Sequence, residues 1–231
     1  MIIFDGIDIK AVAGVRIEDI KVSGVQLSPL TRPRAVSAGA EFVRNRAAGR
    51  TVTVTFALLS QHMNTRQAAL DAVSAWAKTD KEYKLELPGH PDRYLMAVCT
   101  EKPTPSTRQW WESKLRLVFS CFSDPYWITT EKSVACGTQF KVLGDAPPLM
   151  RIERTLSASA SDQSYSDGMN TMTFSTIPAG DMVIDLEKQT AAVGSTSIMQ
   201  YYNVNSRFIV PKTGTQTITG TGTVKYRERW Q

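Results

Sequence analysis

Histidine and cysteine are scarce in this chain, and their scarcity removes several kinds of chemistry at once. His62 and His90 are the only histidines in 231 residues, and they lie far apart in sequence. The three cysteines, Cys99, Cys121 and Cys136, cannot all pair, and none falls in a CxxC spacing. Zinc ligation and a disulfide framework therefore have little support. Cys99 and Cys121 read as small buried hydrophobes on strands. No apolar run approaches the ~20 residues that a membrane helix needs. The opening Met1-Ile2-Ile3-Phe4-Asp5-Gly6 lacks the basic start and apolar stretch of a signal peptide, so the expected default location is cytoplasmic.

Charge is also modest. The net formal charge is +5, with 17 basic against 13 acidic residues up to Trp127 and 10 against 9 after it. A nucleic-acid reader is normally more basic, with interleaved aromatics and a recognisable motif. One local excess stands out: Arg32, Arg34, Arg44, Arg46 and Arg50, with Glu41 the only acid among them. It reads as a solvated loop or a subunit contact.

Strand signals dominate. Val52, Val54, Phe56 and Leu58 alternate with Thr51, Thr53 and Thr55, the pattern of a half-buried strand. Val15 to Val22 alternates too, with a break in phase between Ile17 and Ile20. Gly24 to Pro33, punctuated by Pro29 and Pro33, is expected to be irregular or an edge. Ala35 to Arg50 reads as an arginine-rich loop, with a hairpin turn at Asn45 to Gly49. The one convincing helix is capped at Asn64 or Thr65 and runs to about Lys78, with Leu70, Val73, Trp76 and Ala77 on one stripe. Glu82 to Leu87, Arg93 to Thr100 and Ser113 to Phe122 complete a first sheet. A loop opens at Pro103-Thr104-Pro105-Ser106 and carries Trp110 and Trp111, which form a contact surface or close the sheet.

The strand from Lys114 to Phe122 ends at Asp124-Pro125, and Tyr126 and Trp127 follow it. Composition shifts there from a mixed, helix-containing segment to a Ser/Thr/Gly-rich strand-and-turn pattern. This reads as a domain junction dividing 1–127 from 128–231, with Tyr126 and Trp127 packed between the halves. The alternative is a strand ending in a turn inside one large sandwich. Beyond it, strands are expected at Leu149 to Arg154, Met169 to Ser175, Met182 to Glu187, Ala191 to Val193, Arg207 to Val210, Thr215 to Thr219 and Thr223 to Trp230. Ser157 to Gly168 reads as a loop. In the last strand Val224, Tyr226 and Trp230 face one way and Lys225, Arg227 and Arg229 the other. The expected fold class is mainly β: an N-terminal β-sandwich-like domain with one packed helix, then a C-terminal β-sandwich or jelly roll.

The search for chemistry yields nothing above background. Gly214, Gly220 and Gly222 sit among threonines on a hairpin, which excludes a phosphate loop. No serine lies in a nucleophile elbow. Asp162 and Asp167 have no calcium-loop spacing and serve equally as turn residues. Asp181, Asp185 and Glu187 alternate with apolar residues, and nothing selects a catalytic pair among them. No catalytic residue, cofactor site or metal site is assigned.

Three stretches carry a family resemblance: Phe4-Asp5-Gly6-Ile7 at the start, Phe119-Ser120-Cys121-Phe122-Ser123-Asp124-Pro125-Tyr126-Trp127 in the middle, and the pair Gly144 to Ile152 and Phe208 to Trp230, closing on Tyr226-Arg227-Glu228-Arg229-Trp230. In this order they resemble the distal tail proteins of siphovirus-type bacteriophages and prophages, over nearly the whole chain. The family often places asparagine after the glycine of the closing hairpin, whereas Gly214 is followed here by Thr215-Gln216. The resemblance implies a non-catalytic virion protein of the tail tip, assembled in the host bacterial cytoplasm. It implies a hexameric ring whose first domain walls the channel and whose second, galectin-like domain lies at the periphery. The implied partners are the tail tube protein, the tail-associated or tail-tip protein and the tape-measure protein, with DNA passing through unread and no membrane insertion. Arg32, Arg34, Arg44, Arg46 and Arg50 are the expected subunit-interface residues. The alternative function is a carbohydrate-binding module on host glycans, with Trp127, Tyr165, Tyr201 and Tyr202 available for stacking and Tyr201 and Tyr202 as the expected contacts. A tail-associated hydrolase would need clustered acids or a nucleophile, which the sequence does not supply.

Overall fold

Strands build most of this structure, a computed structural model that describes residues 1–12, 15–33, 40–59, 62–109 and 112–231. The side chains of 33, 40, 41, 44, 59, 63, 102–109, 112 and 113 lie outside that description. Antiparallel ladders predominate, and the chain divides into two compact units, Met1–Trp127 and Ile128–Trp230.

In the first unit the strands are β1 (Ile3–Phe4), β2 (Ile7–Asp8), β3 (Val15–Val22), β4 (Gln26–Pro33), β5 (Ala40–Leu59), β6 (Tyr83–Glu86), β7 (Arg93–Gln109) and β8 (Glu112–Cys121), with helix α1 (Met63–Trp76) between β5 and β6. The alternating segment is the second half of β5, held between β3 and β8. Val52, Val54 and Phe56 are fully buried there. Its neighbour β3 explains the phase break seen in the sequence. Ile17 pairs with Phe56 and Asp19 with Thr55, so Glu18 is the extra residue of a β-bulge. The bulge restores Ile20 to the face of Ile17.

Helix α1 lays Ala69, Val73 and Trp76 against this sheet. The Trp76 indole N–H donates to the Ile7 carbonyl at 2.9 Å. Its ring meets Phe4 at 5.6 Å, Phe119 at 5.9 Å and Phe56 at 6.4 Å, edge to face. The cap differs from expectation. His62 is the N-cap, and the Thr65 hydroxyl donates back to the His62 carbonyl, so Asn64 and Thr65 already belong to the first turn.

Three further expectations fail in this unit. No hairpin turn forms at Asn45 to Gly49, because β5 runs straight through it: Asn45 pairs with Pro29 and Gly49 with Gln26, Ala48 being a bulge. The arginine-rich segment is thus strand from Ala40 onward, and 35–39 lie outside the described residues. Pro103 to Ser106 is likewise strand. Pro103 falls inside a register shift between Glu101 and Thr104, where a missing N–H disturbs no regular ladder, and Pro105 pairs with Leu115. Trp110 and Trp111 lie outside the described residues.

The second unit contains β9 (Trp127–Thr129, starting on the last residue of the first), β10 (Lys132–Ala135), β11 (Gln139–Val142), β12 (Ala146–Leu156), β13 (Ala160–Ser166), β14 (Thr171–Ile177), β15 (Gly180–Asp185), β16 (Thr190–Val193), β17 (Thr196–Ser197), β18 (Gly214–Thr217) and β19 (Thr223–Trp230). A sheet in the order β17-β16-β15-β12-β19, with β10 also on β19, accompanies two separate ladders, β11 with β18 and β13 with β14. Their inward residues form one core that includes Ile152, Ile184 and Val224 from the sheet and Phe140, Met172 and Phe174 from the ladders. The Phe140 and Tyr226 rings, 5.0 Å apart, tie the two sides together.

Ser157 to Gly168, expected as a loop, contains β13, where Tyr165 is the one fully interior residue among polar neighbours. Arg207 to Val210, expected as a strand, has no ladder, although Ile209 is fully buried. The last strand buries a residue that alternation had not assigned to the core: Glu228 is 2% exposed, on the face of Val224 and Tyr226. Its carboxylate accepts from the Leu143 N–H at 3.0 Å and pairs with Lys132 at 2.9 Å, which answers the cost of burying charge.

Candidate interaction surfaces

The two halves of β5 live in different surroundings. From Arg50 onward it is a central strand, whereas from Ala40 to Gly49 it pairs, among the described residues, only with β4. A two-stranded ribbon about 30 Å long results, at ~3.4 Å per residue. Such a ribbon has no sheet face to hide its apolar side chains. Leu27, Leu30, Phe42 and Val43 stand 47–59% exposed on it. Solvated, this is a costly arrangement and an open edge for pairing, and clustered apolar exposure of this kind marks contact surfaces. These four residues were not singled out from the sequence. The signal was there, in apolar residues embedded in a proline- and arginine-rich stretch that alternation alone does not organise.

The five arginines have separate fates. Arg32 and Arg46 are exposed on the ribbon. Arg44 pairs with Leu30 in the ladder, its side chain outside the described residues, as is the whole of Arg34. Arg50 departs from the expectation of a solvated loop arginine: it is 4% exposed, with its guanidinium carbon 5.8 Å from the Trp127 ring centroid. His90 packs on the same indole with the rings tilted at 43° and their centroids 4.2 Å apart. Desolvation, then the charges of Arg93 and Arg50, hold the His90 pKa below its ordinary value. Turn residue His90 is therefore a packing partner of Trp127.

The aromatic residues of the glycan alternative do not form an open platform. Tyr165 is 1% exposed in the core, and Trp127 is 4% exposed. Tyr202 is stacked on Phe208 at 4.8 Å and meets Phe174 edge-on at 5.6 Å, so a ring face is already covered. Tyr201 is half-buried beside it.

The acids are engaged in turns and ion pairs. Asp167 accepts from the Met169 and Asn170 N–H groups at 2.9 and 2.6 Å, an Asx turn. Burial pushes its pKa up, but those N–H donors and Lys212 outweigh it and hold the carboxyl below its usual range. Asp181 accepts from the Thr155 hydroxyl, Asp185 from the Glu187 and Lys188 N–H groups, and Glu187 from Arg229. Among the described residues no group of three or more His, Cys, Asp or Glu is placed to hold a metal ion. Burial raises the pKa of all three thiols, Cys121 to about 12. No helix of the described residues is long and apolar enough to cross a membrane.

These features define a class: a two-unit, mainly β protein whose first unit carries one helix and a long exposed ribbon. Among solved structures the chain is similar to the crystal structure of SPP1 Dit (gp 19.1), described as a paradigm of the hub adsorption apparatus in phages infecting Gram-positive bacteria. The TM-score is 0.78 at 17% identity, over 100% of this chain and 98% of that one. At that identity the likeness is one of fold, and the fold is Dit-like. Two structures of the phage p2 baseplate in its activated conformation, with strontium and with calcium, align over 94% of this chain and 91% of theirs. Their TM-score of 0.43 and 9% identity are too low to carry an argument. No protein-family model and no curated protein matches the sequence.

Proposed function

We propose that this chain is a structural, non-catalytic component of the distal tail tip of a siphovirus-type bacteriophage. In this reading it forms a hexameric ring that joins the tail tube to the tail-associated or host-recognition device. The observation that carries the reading is the end-to-end likeness to SPP1 Dit, which spans both units. The tail tube, tail-tip and tape-measure proteins are the proposed partners, and DNA passes through the channel unread. Assembly takes place in the host cytoplasm, and the finished protein resides in the virion. The first domain, 1–127, is the ring wall and the second, 128–231, a galectin-like periphery.

The ribbon supports this reading physically. A closed ring is built from head-to-tail contacts, so each subunit needs two different complementary patches. The exposed Leu27, Leu30, Phe42 and Val43, distributed over both faces of the ribbon, supply apolar area for such contacts. Covering four half-exposed side chains is worth about 3–5 kcal/mol before the cost of association. Arg32 and Arg46, exposed on the same ribbon, set charge around that area, and Arg34 and Arg44 are proposed with them as interface residues, whereas Arg50 packs at the ribbon's root against Trp127.

Light scattering across a range of concentrations, with negative-stain imaging, tests the proposal. Six-fold rings with a central hole are expected, and charge reversal at Arg44 and Arg46 is expected to dissolve them while leaving the monomer folded. Normal rings from that double variant would overturn the arm assignment. A strict monomer in the presence of purified tail-tube ends would overturn the ring itself.

A further inference from the structure

The outward side of the second unit's sheet carries a cluster of paired charges beside a cleft. Beside β12, the end of β15 and β19 lies a cleft of about 190 Å³, whose lining includes Glu131, Leu149, Arg151, Lys188, Lys225 and Arg227. We propose that this cleft binds a single residue of a neutral, polyhydroxylated saccharide.

The first argument is preorganisation. Glu131 sits at the centre of a cross-strand network. Arg151 approaches it at 2.9 Å, Arg227 at 3.3 Å and Lys225 at 4.0 Å. Arg151 and Lys225 are bridged a second time by Glu153, at 2.6 and 2.7 Å. Arg151, Lys225 and Arg227 are thus each held by at least one carboxylate while standing on paired strands. A ligand arriving there avoids the ordering cost of about 0.5–1.5 kcal/mol per side chain that flexible surface residues impose. Guanidinium and ammonium groups present donors in fixed directions, and carboxylates present acceptors beside them. Hydroxyl groups, each donor and acceptor at once, are the ligand chemistry that fits such a mixed surface.

The second argument is charge. The cleft lining holds Arg151, Lys188, Lys225 and Arg227 against Glu131, Asp185 and Glu187, a net excess of one positive charge. A phosphate or sulfate reader would concentrate cations without interleaved carboxylates. Near-neutrality selects an uncharged polyol over an anionic one.

The third argument is size and apolar contact. At about 190 Å³ the cleft is small, on the scale of a single sugar ring and not of a chain. Half-buried Leu149 gives it an apolar strip for the ring's C–H face, and no aromatic residue lines it. Without a stacking aromatic the single-site affinity is weak, a Kd on the order of 1–10 mM. In a multivalent assembly that weakness is offset by avidity, but the site itself stands whether or not the chain forms rings.

Saturation-transfer difference NMR tests the inference on the full chain, because it reads the small ligand whatever the size of the protein. D-glucose, D-galactose and N-acetyl-D-glucosamine are the probes. Transfer to at least one is expected, with Lys188→Ala weakening it roughly threefold to tenfold, the effect of one lost hydrogen bond. Lys188 has a side chain 74% exposed, so its removal leaves the fold intact. Arg227→Ala, with its melting temperature checked, is expected to reduce transfer further. No transfer to any of the three sugars would overturn the inference. So would transfer that survives Lys188→Ala and vanishes in Tyr202→Ala, which would move sugar binding to the tyrosines.

Discussion

Replacing Glu228 measures how a buried charge is tolerated in the second unit, and the structure gives different magnitudes for two substitutions. The carboxylate is 3% exposed and accepts from the Leu143 N–H and from Lys132, whose side chain is 42% exposed. Glu228→Gln keeps an oxygen for the Leu143 N–H and loses only the charge. Lys132 then turns into water, and a charge-assisted hydrogen bond falls to a neutral one, a loss of about 1 kcal/mol. Glu228→Ala removes both interactions, leaves the Leu143 N–H without its acceptor and opens space in the core. The cost is about 3–5 kcal/mol. In a unit of this size ~1 kcal/mol shifts the melting temperature by ~4–8 °C. The glutamine variant is therefore expected to melt about 5 °C below the parent and the alanine variant at least about 12 °C below it. Differential scanning calorimetry, with the transition of the second unit followed separately, reads both. Equal shifts for the two variants would show that the Leu143 hydrogen bond carries no weight and would refute the reasoning.

Three other outcomes are expected. Gly144→Ala places a methyl group 2.3 Å from the Arg229 carbonyl oxygen, backbone that cannot step aside, so the variant should be recovered insoluble or with the second unit unfolded in circular dichroism. The His90 pKa lies below its ordinary value of 6.5, so the unfolded chain takes up the proton first as pH falls. Stability should fall with decreasing pH from about 6.5 down to the folded pKa, then level off, and His90→Gln should remove that slope in urea titrations. With burial raising its thiol pKa to about 12, Cys121 should resist an aromatic disulfide reagent at pH 8 in the folded chain and react once unfolded.

Local periodicity made much of the framework legible. β3 and β19 have the bounds that alternation assigns them, and even the bulge at Glu18 was visible as a slip of phase between Ile17 and Ile20. The helix stripe and the role of Trp76 as its anchor were equally readable, since a lone helix beside strands has one place to put its apolar side. What periodicity misread was strand whose side chains are not sorted by burial. β13 hides only Tyr165, and the ribbon half of β5 is exposed on both sides, so neither shows a period of two in hydrophobicity. Their strand character comes from pairing with β14 and β4.

The candidate surfaces follow the same division. The arginine excess was evident as composition, but the separation of exposed Arg32 and Arg46 from buried Arg50 depends on Trp127, a residue distant in sequence. The network around Glu131, the residue just before β10, joins β12 and β19, and Glu228 is satisfied by Leu143, 85 positions away. By itself the sequence determined which short segments have one face to bury, because that preference is written within about eight residues. Only the tertiary structure decided which charges are matched and which apolar residues stay in solvent, because each outcome depends on which distant strand lies alongside.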